Sequence, residues 1–280
     1  MSQLKHFIRD AMQYMPYEIS MATWLARSKY LTKENPQILD DEWQTHLQTL
    51  HADGACVVEN FFTEEECRQL RTEIDNLLIT QKGFVHQPDK VGSDHRIYGA
   101  QKVSKVLDDK FGHNPDLMNM AMAHQGNDVV LGFTLAAKMN YVENNPGSGG
   151  GWHRDSFLKQ FKCIVYLSDV DETNGPFQFI KGSHQYSQMV QDTRTLGLPY
   201  NQVRMSHEQV QKLINRNPER LLTATARAGT VLLANTSGIH RGKPIEAGQR
   251  YALTNYYYNR GLLKPDIFEH FKPVAGYHQL

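Results

Sequence analysis

Two short stretches of this chain carry side chains whose types and spacing suit metal chemistry. They are Gly151-Trp152-His153-Arg154-Asp155, and Ile239-His240-Arg241 with Arg250 beyond it. His153, Asp155 and His240 offer two imidazoles and one carboxylate. That donor set suits a non-haem Fe(II) centre with coordination positions left open for a co-substrate and O2. On an extended segment the side chains of His153 and Asp155 point the same way, because strand side chains alternate with period two. Both can then reach one ion. The third donor must come from a remote strand folded over the first, which is where His240 is expected. One carboxylate and two neutral imidazoles leave Fe(II) with residual positive charge, and that favours a chelating acid as the next ligand. Each part is weak alone: a His-x-Asp triplet is commonly a surface polar run, and the chain has 13 histidines.

Arg250 strengthens the reading. It begins the strand-like run Arg250-Tyr251-Ala252-Leu253-Thr254-Asn255-Tyr256. Alternation puts it on one face with Ala252, Thr254 and Tyr256, a mostly small or polar face of the kind a barrel interior around a ligand requires. A guanidinium there is costly unless paired, and a carboxylate is its natural bidentate partner. The alternative is an arginine at the strand edge, paired with a surface acid.

The elements that must position these residues show in the hydrophobic patterning. Residues 3–30 have helical spacing interrupted by Pro16, which predicts two short helices. Helices are also expected over 41–52, from Thr63 to about Ile79 with a Thr63/Glu66 capping box, and from Asn114-Pro115 to near Gly126. Residues 54–60 suggest a short strand. Residues 83–113 show little periodicity and are expected as a long functional loop. From 129 onward the character becomes β: Val129–Val142, Phe161–Val170, Pro176–Ile180, Leu221–Ala226, Thr230–Ala234 and Arg250–Asn259 read as strands separated by turns. Between them, residues 185–217 hold a loop and a short helix capped by Ser206 and Gln209, and 262–280 form a patternless tail. Several short strands predict a sandwich, barrel or jelly roll. No repeat or low-complexity linker divides the chain, so a single domain over 1–280 is expected, with residues 1–40 as a helical extension.

The bulk composition agrees. The chain has 280 residues, 40% apolar and 21% charged, with 30 basic and 30 acidic residues and a formal net charge of zero. A core of that size needs no staples, and the neutral balance argues against a nucleic-acid partner. Three cysteines without a C-x-x-C pattern argue against a disulfide framework and fit a reducing cytoplasm. No secretory signal and no membrane span are recognisable.

With these features together the chain resembles the phytanoyl-CoA dioxygenase family of Fe(II)/2-oxoglutarate-dependent oxygenases. The matching segments are Asp53–Phe62 with its following helix, Trp152–Asp155, Phe161–Val170, Asn174-Gly175-Pro176-Phe177 through Lys181-Gly182-Ser183-His184, and His240 with Arg250. They cover roughly 50–260, and their order and spacing agree as well as their types. The resemblance implies a mainly β fold with flanking helices around a double-stranded β-helix, a jelly-roll, cupin-like core. It implies iron ligation by His153, Asp155 and His240, and 2-oxoglutarate as co-substrate with its distal carboxylate on Arg250. Asn174-Gly175-Pro176 and Gly182-Ser183-His184 look like structural turns. Many relatives carry a hydroxyl two residues after the distal histidine, where this chain has Gly242; Thr254 or Tyr141 is expected to compensate.

The expected reaction is oxidation of a C–H bond of a small-molecule substrate, with succinate and CO2 released. Asp155 argues against halogenation, in which a small residue at that position leaves room for chloride. The best lid candidates are 84–113 and 185–204, which carry Arg96, Lys102, Arg194 and Arg204 with Tyr98, Tyr186 and Tyr200. Such a lining suits a small anionic or polar metabolite. The competing readings are a cupin-type metalloenzyme without 2-oxoglutarate, a non-catalytic binding module, and an oxygenase acting on a protein.

Overall fold

The computed structural model describes residues 39–126, 128–199 and 202–260, together with 19, 23 and 26. Apart from those three residues, the paired helices expected over 3–30 lie outside the described residues, as does the tail from 262. Helix α1 (Asp41–Asp53) starts where Asp40 accepts a hydrogen bond from the Trp43 amide, and it stops at Gly54, whose φ of 87° is left-handed. Strand β1 (Ala55–Val58) follows. Helix α2 (Glu64–Thr80) carries both halves of the Thr63/Glu66 capping box. Its buried residues Cys67, Leu70, Ile74 and Leu77 recur at helical spacing and give it one apolar face. Helix α3 (Pro115–Gln125) opens with proline in its first turn.

The remaining strands are β2 (Asp94–Tyr98), β3 (Val129–Asn140), β4 (Phe161–Tyr166), β5 (Phe177–Ile180), β6 (Leu221–Ala224), β7 (Val231–Asn235), β8 (His240–Gly242) and β9 (Gln249–Asn259). Six strands form one antiparallel sheet in the order β1-β7-β4-β9-β3-β2, and three form another in the order β6-β5-β8. Alternation along β4 and β9 divides their side chains between two environments. Phe161, Cys163, Val165, Leu253 and Tyr257 pack with Leu70 and Ile74 of α2 and Met120 of α3 in the main core. Lys162, Ile164, Tyr166, Arg250, Ala252, Thr254 and Tyr256 face a cavity on the other side of the sheet. The small sheet contributes Phe177 and Phe179, which pack with Tyr166, Leu232 and Ala234 between the two sheets. This is the expected mainly β jelly-roll core with helices against one sheet.

Two expectations are corrected. Residues 83–113 are not mainly loop: they contain β2, paired with β3 from Asp94↔Met139 to Tyr98↔Leu135, followed by short helical turns at Ala100–Lys102, Lys105–Leu107 and Asp108–Gly112. Polar Asp94 and Arg96 face inward and satisfy each other, with Arg96 Nη2 2.5 Å from Asp94 Oδ2, so the apolar alternation that marks a strand is missing. The insert after 185 holds two helices, α4 (Tyr186–Leu196) and α5 (His207–Arg216), where one was expected; the Ser206/Gln209 capping box starts the second. Strand β8, three residues long, carries no hydrophobic period at all and exists through its pairing with β5.

Candidate metal centre and adjoining cavity

The Trp152–Asp155 segment is extended and held on both sides. His153 and His240 exchange backbone hydrogen bonds of 2.9 Å in both directions, the Arg154 amide donates to Val203 O at 2.8 Å, and the Asp155 amide donates to Thr236 O at 3.0 Å. His153 and Asp155 therefore share a face, as their spacing requires, and β8 lies directly against them. Arg154 between them points the other way. It is 3% exposed, and its Nη1 donates to Ser183 O at 2.5 Å and Ser237 O at 2.6 Å, tying together the loops that precede α4 and β8. Gly149 before the motif has a steric reason: its φ is 82°, and a Cβ there would lie 2.5 Å from His153 Cε1.

Candidate ligand atoms of His153, Asp155 and His240 all lie within 4.8 Å of one another. The imidazole centroids are 4.3 Å apart. Asp155 Oδ1 is 3.6 Å from His153 Nε2, and Oδ2 is 4.0 Å from His240 Nε2. Both histidines face their Nδ1 to a carbonyl oxygen, Gly151 O at 2.8 Å and Gly238 O at 3.0 Å. A carbonyl only accepts, so Nδ1 holds the proton in each ring and Nε2 presents a lone pair toward Asp155. Burial pushes the His153 pKa down and that of His240 to about 3, with the neighbouring imidazole adding to the effect on His240. Both are neutral at ordinary pH. Burial works against the Asp155 carboxylate, but the Lys162 ammonium and the two histidines more than offset it and hold its pKa well below the usual range. Two neutral imidazoles and one carboxylate with converging lone pairs fit a divalent ion.

The sequence reading missed Lys162. It stands on β4 at 6% exposure, with Nζ 2.6 Å from Asp155 Oδ2 and 4.1 Å above the Tyr256 ring. By distance this is an ion pair, although Oδ2 receives no well-directed hydrogen bond. The available signal was parity: in Phe161-Lys162-Cys163-Ile164-Val165-Tyr166 the lysine shares its face with Ile164 and Tyr166, where a charge needs a partner.

The triad opens on a cavity of about 590 Å³, within the usual range for small-ligand sites. Arg250 lines it, 6% exposed. Its Nη2 lies 2.8 Å from Met139 Sδ; burial lowers its pKa, while Tyr166 and, at longer range and already paired with Arg96, the Asp94 carboxylate act the other way. Among the described residues no carboxylate pairs with it, so the surface-acid alternative is not realised. Thr254 faces the same cavity. Tyr141 does not: its side chain is 51% exposed and lies outside the lining, because β3 has ended at Asn140. Of the lid candidates, Arg96, Tyr98 and Arg204 line the cavity, whereas Lys102, Arg194 and Tyr186 do not. Tyr200 falls outside the described residues. His124, at the end of α3, is 1% exposed and neutral, because burial drives its pKa far down.

A jelly-roll core with a two-histidine, one-carboxylate centre opening on a cavity with a buried arginine defines a class of protein. Within it, the chain belongs to the phytanoyl-CoA dioxygenase (PhyH) family, whose model matches residues 50–251. It is 24% identical to an ectoine dioxygenase of Bordetella bronchiseptica over 154 residues, 50% of this chain and 48% of that protein. The chain thus matches about half the length of that relative. It is 22% identical to an L-proline trans-4-hydroxylase of Streptomyces griseoviridis over 228 residues, 74% of this chain and 83% of that one. Among solved structures, the fold is similar to the epimerase SnoN in complex with Fe3+, alpha ketoglutarate and nogalamycin RO, with TM-score 0.63, 17% identity and coverage of 85% and 92%. It is also similar to EctD from S. alaskensis with 2-oxoglutarate and 5-hydroxyectoine, with TM-score 0.59, 17% identity and coverage of 82% and 81%.

Proposed function

We propose that this chain is an Fe(II)- and 2-oxoglutarate-dependent dioxygenase that oxidises, most simply hydroxylates, a C–H bond of a small polar or anionic metabolite. One observation carries the reading: the buried Arg250 guanidinium, with no carboxylate partner among the described residues, opens on the same cavity as the triad. A metal site alone fits a cupin-type enzyme as well. A buried cation that no acid among the described residues pairs with calls for an acidic ligand, and 2-oxoglutarate offers one carboxylate for the metal and another for the arginine.

In this reading His153, Asp155 and His240 hold the ion through two Nε2 atoms and one carboxylate oxygen. With O2, the iron and co-substrate supply the oxidation, and succinate and CO2 are released. The chain's own contributions are orientation and exclusion of water. The Nδ1–H bonds to Gly151 and Gly238 fix the ring planes. Lys162 fixes the Asp155 carboxylate, and Tyr166 accompanies Arg250 at the far carboxylate. Arg204 and Tyr98 on the cavity wall favour a polar or anionic substrate, and the relatives named for ectoine and L-proline point to small molecules of that kind. We read the fold as one catalytic domain. The buried free thiols of Cys56, Cys67 and Cys163 suit a reducing cytoplasm. Among the described residues no helix is long and apolar enough to cross a membrane, and the zero net charge provides no nucleic-acid footprint.

The test is anaerobic titration of the Fe(II)-loaded protein with 2-oxoglutarate, followed by air. A metal-to-ligand charge-transfer band, then iron-dependent succinate, is expected from the wild type, with no band from Asp155→Ala. A protein that binds Fe(II) tightly and gives no band is a metalloprotein that does not use 2-oxoglutarate.

A further inference from the structure

The cavity holds a second polar cluster that the triad and Arg250 do not use. On β2, Arg96 is 8% exposed and is gripped by Asp94, which accepts from Nε at 2.9 Å and from Nη2 at 2.5 Å. The pair is neutral as a unit and needs no ligand anion. Arg96 Nη2 also donates to Ser148 Oγ at 2.9 Å. A hydroxyl that accepts from a guanidinium has its own proton left to give, and no described residue accepts it. Ser148 lines the same cavity as Arg250.

Ser148 is fixed against β8 by a close backbone approach. The Gly242 amide donates to Ser148 O at 3.0 Å. A Cβ on Gly242 would lie 2.6 Å from Ser148 Cβ, and a Cβ on Gly147 would lie 2.4 Å from Gly242 O. The Ser148 side chain thus fills the volume that a side chain at 242 would take. Arg250 reaches the same end of the cavity. Its Nη1 is 3.4 Å from where a Gly175 Cβ would stand, and that Cβ would be 2.6 Å from Lys243 O, the residue beside Gly242. Thr254 is four residues further along β9, about 13 Å of extended strand, beside a different part of the cavity.

Resting on the 2-oxo acid reading above, we propose that Ser148, aimed by the Asp94–Arg96 pair, donates the second hydrogen bond to the carboxylate held by Arg250. The loop hydroxyl stands in for a side chain that Gly242 lacks, and the two positions are sterically exclusive. Arg96 is a positioning residue, while Ser148 touches the co-substrate.

The experiment is anaerobic titration of the Fe(II)-loaded full chain with 2-oxoglutarate, read by the charge-transfer band, with Fe(II) affinity measured alongside. Ser148→Ala should weaken 2-oxoglutarate binding by about tenfold or more, the usual effect of one hydrogen bond to a charged group, and leave Fe(II) affinity unchanged. Gly242→Ser alone should bind 2-oxoglutarate poorly, because its side chain collides with Ser148. The double variant Ser148→Gly/Gly242→Ser should recover affinity to near that of the wild type, with the hydroxyl moved to β8. Wild-type affinity in Ser148→Ala overturns the proposal. So does equal loss of Fe(II) and 2-oxoglutarate binding, the mark of a merely structural strap, and so does a double variant no better than Gly242→Ser. A wild type with no band overturns the co-substrate reading and this inference with it; a band in the wild type unaltered in Ser148→Ala sinks this inference alone.

Discussion

Replacing Arg250 with methionine should move stability and ligand binding in opposite directions. Methionine keeps the length and apolar stem and removes the charge. Arg250 is 6% exposed, and its guanidinium has Met139 Sδ and Tyr166 for company. An uncompensated buried cation costs stability, so its removal should leave the apo protein as stable or about 1 kcal/mol more so. With 2-oxoglutarate the sign reverses. Loss of a desolvated, charge-assisted bidentate contact costs about 2–4 kcal/mol, a roughly 30- to 1000-fold rise in Kd. Thermal melts of the Ni(II)-loaded protein read both effects. At 2-oxoglutarate one hundred times its wild-type Kd, the wild type should gain ~2.7 kcal/mol, about 5–10 °C for a chain of this size. The variant should gain under about 1 kcal/mol at the same concentration. A wild-type shift in the variant would refute the assignment of Arg250 to the acid. An apo variant destabilised by several kcal/mol would show that the guanidinium has a structural partner after all.

Two further outcomes follow from the same site and its surroundings. Lys162→Met leaves Asp155 as a buried carboxylate without its cation, which should destabilise the metal-free protein by about 3 kcal/mol; a divalent ion replaces the missing charge, so the gap should shrink in melts with Ni(II), and an equal gap with and without metal would count against the ion pair's role. For pH, His240 is pushed to about 3 and His184 to about 4, and His124 lies well below its usual value, all first by burial. Each is neutral when folded and takes up a proton when unfolded, so the stability each contributes is complete above the unfolded pKa of about 6.5 and is lost as pH falls toward the folded value. Urea denaturation of the chelator-treated protein should therefore show roughly 1.4 kcal/mol lost per histidine between about pH 7.5 and 5.5, and unchanged stability over that range would contradict their neutrality.

Residue types and short-range periods determined much of this protein by themselves. The Thr63/Glu66 and Ser206/Gln209 boxes start their helices because a cap needs only residues three apart. Alternation along Arg250–Tyr256 placed Arg250 and Thr254 on the cavity face before any partner strand was known. His153 and Asp155 share a face for the same local reason, and His240 could be named as the third donor though not placed. What the chain could not reveal locally depends on which remote backbone arrives alongside. Strand β2 has polar Asp94 and Arg96 where a strand shows apolar residues, and only pairing with β3 and mutual neutralisation make that inward face stable. Strand β8 has three residues and no period, and exists because β5 and the His153 backbone pair with it. Tyr141 continues the alternation of β3 on paper, but the strand stops one residue short of it and the ring turns to solvent. Lys162 looks like an ordinary strand lysine until the fold brings Asp155 to 2.6 Å, and Ser148 gains meaning only when Gly242 is found against it. A buried charge or hydroxyl is defined by its partner, and here the partners come from distant parts of the chain that only tertiary structure brings together.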